Sequence, residues 1–531
     1  MAKEINQIRI ESILGGMSTY ENFSTSDEFQ LSLGIDADMI GNNRSAGYIA
    51  PVISGVGSTL NANPLWFVTT PKNEQIFIYD SSGYVSTTTT LSYSRNDITR
   101  LATAYGNGSA YYDNYVYFAT NSTVARFGPL NQDSPTMNTD FWGSSLGKAS
   151  LTYTSYPYQF YSGGQNLPNH VMHRHSNGKL YFADVVGNQG VLHCISTKKT
   201  TIEGDTDDGS TYNAIDFPPG MWPTAIESYG SDLAIALFEG SSGEEISQTR
   251  AKLVFWDTTN PDNYYQIINV EFPDSLIYSM KNANGVLYVF SGEQWNHNYV
   301  RISRFVGGYS FEQVAYLEET PAPFPGAVDA ILNKIIFSGL FSSGSLTGAY
   351  NKYGCVLSIG SKNSGVSKVL NSIVAVPTDQ PFFAIKSLDV VDETFIVGGE
   401  KFGGGEYYLY GNGIGSGSYT VSNFWRSQTY RIGQPFKILS IRTNLTSSPM
   451  STCDIIPRIY FDDDTTAGYV DLTSINSTNY STKRNIVQRP ENAKGLYNFC
   501  LDYRWTGTYT GVEDIPNIAL PITIEYELLD D

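Results

Sequence analysis

Short apolar runs, separated by polar loops and by turns bearing glycine or asparagine, recur through most of the chain. PLWFVTT from Pro64, NYVYFAT from Asn114, GKLYFAD from Gly178, SDLAIALF from Ser231, GVLYVFSG from Gly285, NKIIFSG from Asn333 and ETFIVGG from Glu393 form one series. Each is followed after a polar loop by a partner run: QIFIYDSSG, TVARFGP, GVLHCIS, AKLVFWD, VRISRFVGG, GCVLSIG and EYYLYGNG. Runs this short, bounded by turn residues and rich in aromatic and β-branched side chains, read as strands. No segment holds apolar residues at i, i+3, i+4 and i+7 over three turns.

Anchoring the series on Leu65, Val116, Leu180, Leu233, Leu287, Ile335 and Phe395, taken as first strands, gives steps of 51, 64, 53, 54, 48 and 60 residues. A repeat of about 50 residues with four short strands per unit is the period of propeller blades, because one small sheet leaves both faces bare and a ring of them covers every face. The sequence therefore predicts an all-β fold with a seven-bladed β-propeller over residues 46–425. A row of β-sandwiches also spaces strands closely, but it does not account for seven copies of one strand-pair signature.

After residue 425 the pattern changes. QPFKILSIRTNL, DIIPRIYFDDD, GLYNFCLDYRWTGT and LPITIEYELL are longer, and the alternation in FKILSIR and ITIEYEL means one buried and one wet face. Residues 426–531 read as an antiparallel β-sandwich. Residues 1–45, with IRIESI and FQLSLGIDAD, are too few for a domain. This N-terminal stretch, SAGYIAPV included, reads either as an extended arm that tethers the chain to a neighbour or as a strand that closes the ring.

Composition sharpens this picture. Tyr, Phe and Trp number 38, 27 and 7, and charged residues are only 16% of the chain, so the surface is built from Ser, Thr, Asn, Gly and Tyr. Thirty-three Lys and Arg against 52 Asp and Glu give a net charge of −19, which sets the whole-molecule field against nucleic acid. Cys194, Cys355, Cys453 and Cys500 are too few for a disulfide framework, although Cys453 and Cys500 fall within one module; most are expected as free thiols. The opening MAKEINQIRIESILGG alternates without a continuous apolar stretch, and no run nears the roughly 20 residues of a membrane helix. The expectation is synthesis in a cytoplasm without a secretory signal or membrane insertion, and an outward-facing role after release.

Several segments resemble structural proteins of tailed bacteriophages: LGGMSTYENF, FQLSLGIDADM, YRIGQPFKILSI, STNYSTKRNIV, YNFCLDYRWTGT and LPITIEYEL. The resemblance touches the first 50 residues and the last hundred, with the middle alike only in style. It implies a virion component, of the tail or its tip, whose partners are other virion proteins and copies of itself. It transfers no catalytic residue.

Candidate chemistry is sparse. His170, His173, His175 and His193 cluster, and His173 and His175 share one face of an extended strand with His193 expected on the neighbouring one, an arrangement that would offer zinc three nitrogens. The ordinary alternative is imidazoles that satisfy blade-edge backbone. Asp205, Asp207 and Asp208 in EGDTDDGST offer part of a calcium loop, and Asp462, Asp463 and Asp464 less of one; no cofactor is expected, with structural calcium there the alternative to a solubilising acidic turn. The Ser-x-Asp-x-Gly-x-Thr-Trp boxes of a sialidase-type propeller are absent, GIGSGS misplaces the serine of a nucleophile elbow, and GEKFGGGE lacks the ending of a phosphate-binding loop. No catalytic residue is assigned and no enzyme activity is expected. The alternatives are a receptor-binding propeller that stacks Trp142, Tyr158, Tyr161, Trp222, Trp295, Tyr309 or Trp425 on host-surface glycans, and a two-carboxylate glycosidase.

Overall fold

The computed structural model describes residues 5–13, 16–17, 28–33, 35–36, 42–45, 49–51, 60, 62–71, 75–89, 96–101, 108–148, 150–151, 159–160, 165–166, 170–186, 189–196, 214–239, 250–259, 269–293, 299–318, 320, 322–331, 334–342, 352–360, 370–375, 383–391, 394–401, 407–412, 419–462, 468–509 and 516–529. Seven four-stranded antiparallel sheets follow one another along the chain. The first runs Pro64–Thr69, Gln75–Asp80, Tyr84–Thr89, Asn96–Arg100. The second runs Ser109–Tyr112, Tyr115–Ala119, Val124–Gly128, Thr136–Asn138, and the third Met172–Arg174, Lys179–Val186, Gln189–Ser196, Ile215–Pro219.

The fourth sheet is Met221–Tyr229, Asp232–Glu239, Lys252–Trp256, Asn269–Glu271, and the fifth Leu276–Ala283, Val286–Gly292, Tyr299–Val306, Phe311–Glu318. The sixth is Val328–Ile331, Lys334–Ser342, Lys352–Ile359, Leu370–Ala375. The seventh takes Phe383–Val391, Thr394–Lys401 and Tyr407–Asn412 from late in the chain and its fourth strand, Ile49–Pro51, from near the start. The first strands touch in succession around a ring, and that of the seventh sheet packs on Pro64–Thr69. The fold is a seven-bladed β-propeller, closed by the strand within SAGYIAPV.

The anchors need one correction. Leu65 lies in a first strand, but Val116, Leu180, Leu233, Leu287, Ile335 and Phe395 all lie in second strands. A second strand is covered on both faces by the neighbouring sheets, so it is apolar throughout, as Asp232–Glu239 shows with six consecutive buried residues. A first strand lines the axis and carries polar residues that break the run. Two-residue reversals join the first and second strands: Asp113-Asn114 and Asn284-Gly285 have φ of 48° and 63°, and 49° and 88°, the doubly positive pair that a type I′ turn requires.

Between sheets the core is aromatic and aliphatic. Phe255 of the fourth sheet meets Phe305 of the fifth edge-on at 5.5 Å, among Leu253, Leu287 and Val289. Buried hydroxyls tie neighbours across the seams: Tyr79 donates to Ala119 O at 2.6 Å, and Thr224 to Ile277 O at 2.8 Å.

The chain forms two compact units, Pro51–Leu340 with Phe383–Gly411, and Met1–Ala50 with Phe341–Phe382 and Asn412–Asp531. The second contains the predicted two-sheet module. One sheet is ordered Ile35–Asp36, Asn42–Ser45, Ile518–Leu528, Phe436–Leu445, Asn485–Gln488, with Ile5–Ile10 also on Ile518–Leu528 and Lys494–Gly495 on Phe436–Leu445. The other is ordered Gly16–Met17, Glu28–Leu33, Tyr419–Ser427, Asn498–Tyr509, Cys453–Phe461, Tyr469–Asp471. The sheets meet through Phe436 and Phe499, 5.5 Å between ring centres, and through the buried hydroxyls of Thr443 and Tyr503.

Residues 1–45 are thus more than an arm: Ile5–Ile10 pairs with Ile518–Leu528, and Glu28–Leu33 with Tyr419–Ser427. The expected boundary at residue 426 falls inside one of the module's strands. All four cysteines are buried thiols. No helix among the described residues is long and apolar enough to cross a membrane.

Candidate functional site: a polar ring on the propeller axis

Four first strands place a charged residue at one register position. Glu227, Lys281, Asp329 and Asp389 each lie two residues before the pair that closes the hairpin to the second strand. In three of these strands the pairing slips by one residue just upstream, between Pro223 and Ala225, Ile277 and Ser279, and Ile385 and Ser387. Such bulges re-aim the side chains that follow. Thr69 and His173 extend the series to the first and third sheets.

Neighbours in this ring bond across the seams. Lys281 Nζ lies 2.7 Å from Asp329 Oδ1. The Val390 amide donates to Asp329 Oδ2 at 2.8 Å and to Asp389 Oδ1 at 3.0 Å, and the Thr69 hydroxyl donates to Asp389. His173 Nε2 stands 3.5 Å from Glu227 Oε1 and 2.7 Å from Ser228 Oγ. His175 Nε2 faces the Ser231 carbonyl at 3.0 Å, so it carries the proton, and Nδ1, 2.8 Å from Ser228 Oγ, accepts. That direction makes Ser228 donate to His175 and accept from His173.

Electrostatics follow the geometry. Burial and the neighbouring Asp329 push the Asp389 carboxyl well above the usual range, since two carboxylates this close resist sharing two negative charges. For Lys281, burial opposes the charge, but Asp329, Glu227 and Asp389 outweigh it and hold the ammonium above the ordinary lysine value. A third of its side chain is still accessible within the lumen. Burial lowers His173, against the pull of Glu227 and helped by Lys281 and His175; it lowers His175 and His170 as well. Off the ring, Lys386 sits within the seventh sheet's bulge, its Nζ 4.2 Å from the Phe324 ring centre, and burial pulls it down to about 8 against Glu400.

The zinc trio does not assemble. His173 and His175 share Ser228, as their spacing of two residues implies, but His193 pairs with the buried Asp184, Nε2 to Oδ2 3.3 Å. The register explains it: His173 lies opposite Tyr181 and thence Cys194, whereas His193 lies opposite Phe182, one residue along and hence on the other face. His170 Nδ1 donates to Ala183 O at 2.9 Å beside the same Asp184. No group of three or more His, Cys, Asp or Glu among the described residues is placed to hold a metal ion.

Asp205, Asp207 and Asp208 lie outside the described residues, as do Asp463, Asp464, Tyr158, Tyr161, Trp295 and the GIGSGS loop. Asp462, with φ of 53°, spends its carboxylate on the backbone amides of Leu496, Tyr497 and Asn498. Trp142, Trp222 and Trp425 are buried and offer no platform to a sugar, whereas Tyr309 is 40% exposed.

The ring residues went unnoticed in the sequence, yet a signal exists. Glu227, Lys281, Asp329 and Asp389 each precede an anchor (Leu233, Leu287, Ile335, Phe395) by six residues. What the ring can do is tie neighbouring sheets by polar contacts: Thr69 to Asp389, Asp389 to Asp329 through the Val390 amide, Asp329 to Lys281, and Glu227 to His173.

No protein-family model matches the chain, and no curated protein sequence does. Among solved structures the chain is similar to the Pan2 WD40 domain of Neurospora crassa (11% identity, 71% of this chain and 98% of that one, TM-score 0.40). It is also similar to the Dos1 propeller (9% identity, 70% and 82%, TM-score 0.37) and to Raptor of Chaetomium thermophilum (10% identity, 70% and 29%, TM-score 0.42).

Proposed function

We propose that the chain is a non-enzymatic structural component of a tailed-phage virion, of the tail or its tip, in which the propeller is a rigid platform for contacts with other virion proteins. One observation carries this reading. Four of the segments that resemble tailed-phage structural proteins, scattered over both ends of the sequence, contribute to strands of a single module: FQLSLGIDADM to Glu28–Leu33, YRIGQPFKILSI to Phe436–Leu445, YNFCLDYRWTGT to Asn498–Tyr509, and LPITIEYEL to Ile518–Leu528. A likeness confined to one folded unit is what a shared docking module leaves behind. The ring adds support, because its polar groups are spent on one another.

Mass spectrometry of gradient-purified particles, followed by density tracing, tests the proposal. The expected result is the full chain at a fixed copy number per particle. Its absence from particles would overturn the reading. A receptor-binding role has one observation in its favour, the exposed Tyr309 ring, held by its hydroxyl on Asp232 at 2.9 Å. Glycan-array binding lost in Tyr309→Ala would support that role.

A further inference from the structure

The two-sheet module carries charges of a different kind from those of the ring. Residues 481–497 hold Lys483, Arg484, Arg489 and Lys494 against Glu491 alone. The edge strand Asn485–Gln488 buries Ile486 and Gln488 and turns Val487 outward, opposite the exposed Arg442. Lys494 lies opposite Lys437. Arg442, Arg489 and Lys494 form no ion pair with any described residue.

Beside these cations stand three of the large apolar side chains that the described surface leaves exposed: Val487 at 40%, Leu496 at 56% and Tyr497 at 61%. Their exposure is held in place. Besides the three amides bound by Asp462, the Tyr497 carbonyl accepts from Ile432 N at 2.7 Å and Gly433 N at 2.9 Å. The Leu496-Tyr497 backbone is therefore fixed on both sides, which removes the backbone share of the ordering cost a contact would otherwise meet. Arginine, tyrosine and pre-ordered apolar side chains are the composition of an interface centre.

Charge selects the occupant. Residues 1–418 contain 23 Lys and Arg against 39 Asp and Glu, so most of a second copy is net acidic and complements this basic strip in charge. We infer that the strip formed by Arg442, Val487, Arg489, Lys494, Leu496 and Tyr497 docks on an acidic surface of a second copy of this chain. Two different surfaces meet in such a contact, and it propagates into a ring or a filament rather than stopping at a two-fold dimer. The inference goes beyond the virion reading and does not depend on it.

Sedimentation velocity of the full chain over a hundredfold concentration range tests it. The wild-type protein is expected to self-associate, less so as salt rises, because opposite charges drive the encounter. The triple variant R442E/R489E/K494E and the double variant L496S/Y497S should each weaken association by about tenfold or more, with circular-dichroism melting unchanged because every site is exposed. A chain that stays monomeric, an association that both variants retain, or one that strengthens with salt overturns the inference. So does a monomer whose strip binds only some other acidic protein. Absence of the protein from particles would leave these outcomes untouched, so the two proposals fail separately.

Discussion

The propeller axis and the edge segment at 481–497 are both rows of polar side chains on antiparallel sheets, and they differ in what faces them. On the axis, neighbouring sheets converge until Lys281 meets Asp329 and His173 meets Glu227. At the module's edge no further strand among the described residues follows Asn485–Gln488, and Arg442 and Arg489 face outward without an acidic partner among them. A charge inside a closed ring is answered by the repeat itself. A charge on an open edge is answered by another molecule.

The module also contains a buried, bidentate ion pair, and it gives the largest expected effect. Arg426 donates Nε to Asp502 Oδ1 at 2.6 Å and Nη2 to Oδ2 at 3.0 Å, with Asp502 fully buried. Asp502→Ala strands a buried guanidinium and should cost about 3–5 kcal/mol of unfolding free energy in urea titration. Adding Arg426→Met should recover much of it; a loss that the double variant does not relieve would mean that packing rather than charge is at stake.

On the axis the effect is smaller, because Lys281 is partly solvated. Lys281→Met should cost about 1–3 kcal/mol by leaving Asp329 unanswered, and Asp329→Asn in the same chain should restore the midpoint. Equal losses in single and double variants would break the idea of a compensated ring.

Acid should distinguish the regions next. His170, His173 and His175 titrate below the ordinary value of 6.5 when folded, so the folded state binds fewer protons than the unfolded one. The stability they allow is therefore complete above pH 6.5 and is lost as pH falls below it, by about 1–2 kcal/mol down to pH 5. Melting temperatures across that window check the sign, and the triple replacement by Gln should flatten the slope. A smaller change, a gain of about 1 kcal/mol, is expected from Lys386→Met, whose burial already depresses the amine. Single reversals such as Arg442→Glu should move the unfolding midpoint by less than about 0.5 kcal/mol, so their effect on self-association is read against an unaltered fold.

The number of blades was legible because a strand clothed on both faces must be apolar over its whole length, as LAIALF and VLYVF are. The same reasoning located second strands and passed over the first ones, whose residues alternate between lumen and core. The ring was hidden for that reason: Glu227, Lys281, Asp329 and Asp389 are scattered acids and a lysine until hairpin register aligns them. The histidines show the limit from the other side. Spacing placed His173 and His175 on one face correctly, but the face of His193 depended on a cross-strand register that sequence alone does not fix. The pairing of Ile5–Ile10 with Ile518–Leu528 spans nearly the whole chain, and no local pattern encodes a contact so remote.

That pairing bears on how the polypeptide is made. Ile5–Ile10 is translated long before its partner Ile518–Leu528, so it waits, its Ile8 and Ile10 uncovered, while the strands of the seven sheets are synthesised. The propeller is in effect an insertion between two halves of one module, and a chain interrupted late in translation would expose a strand edge that only its own C-terminal segment is built to cover.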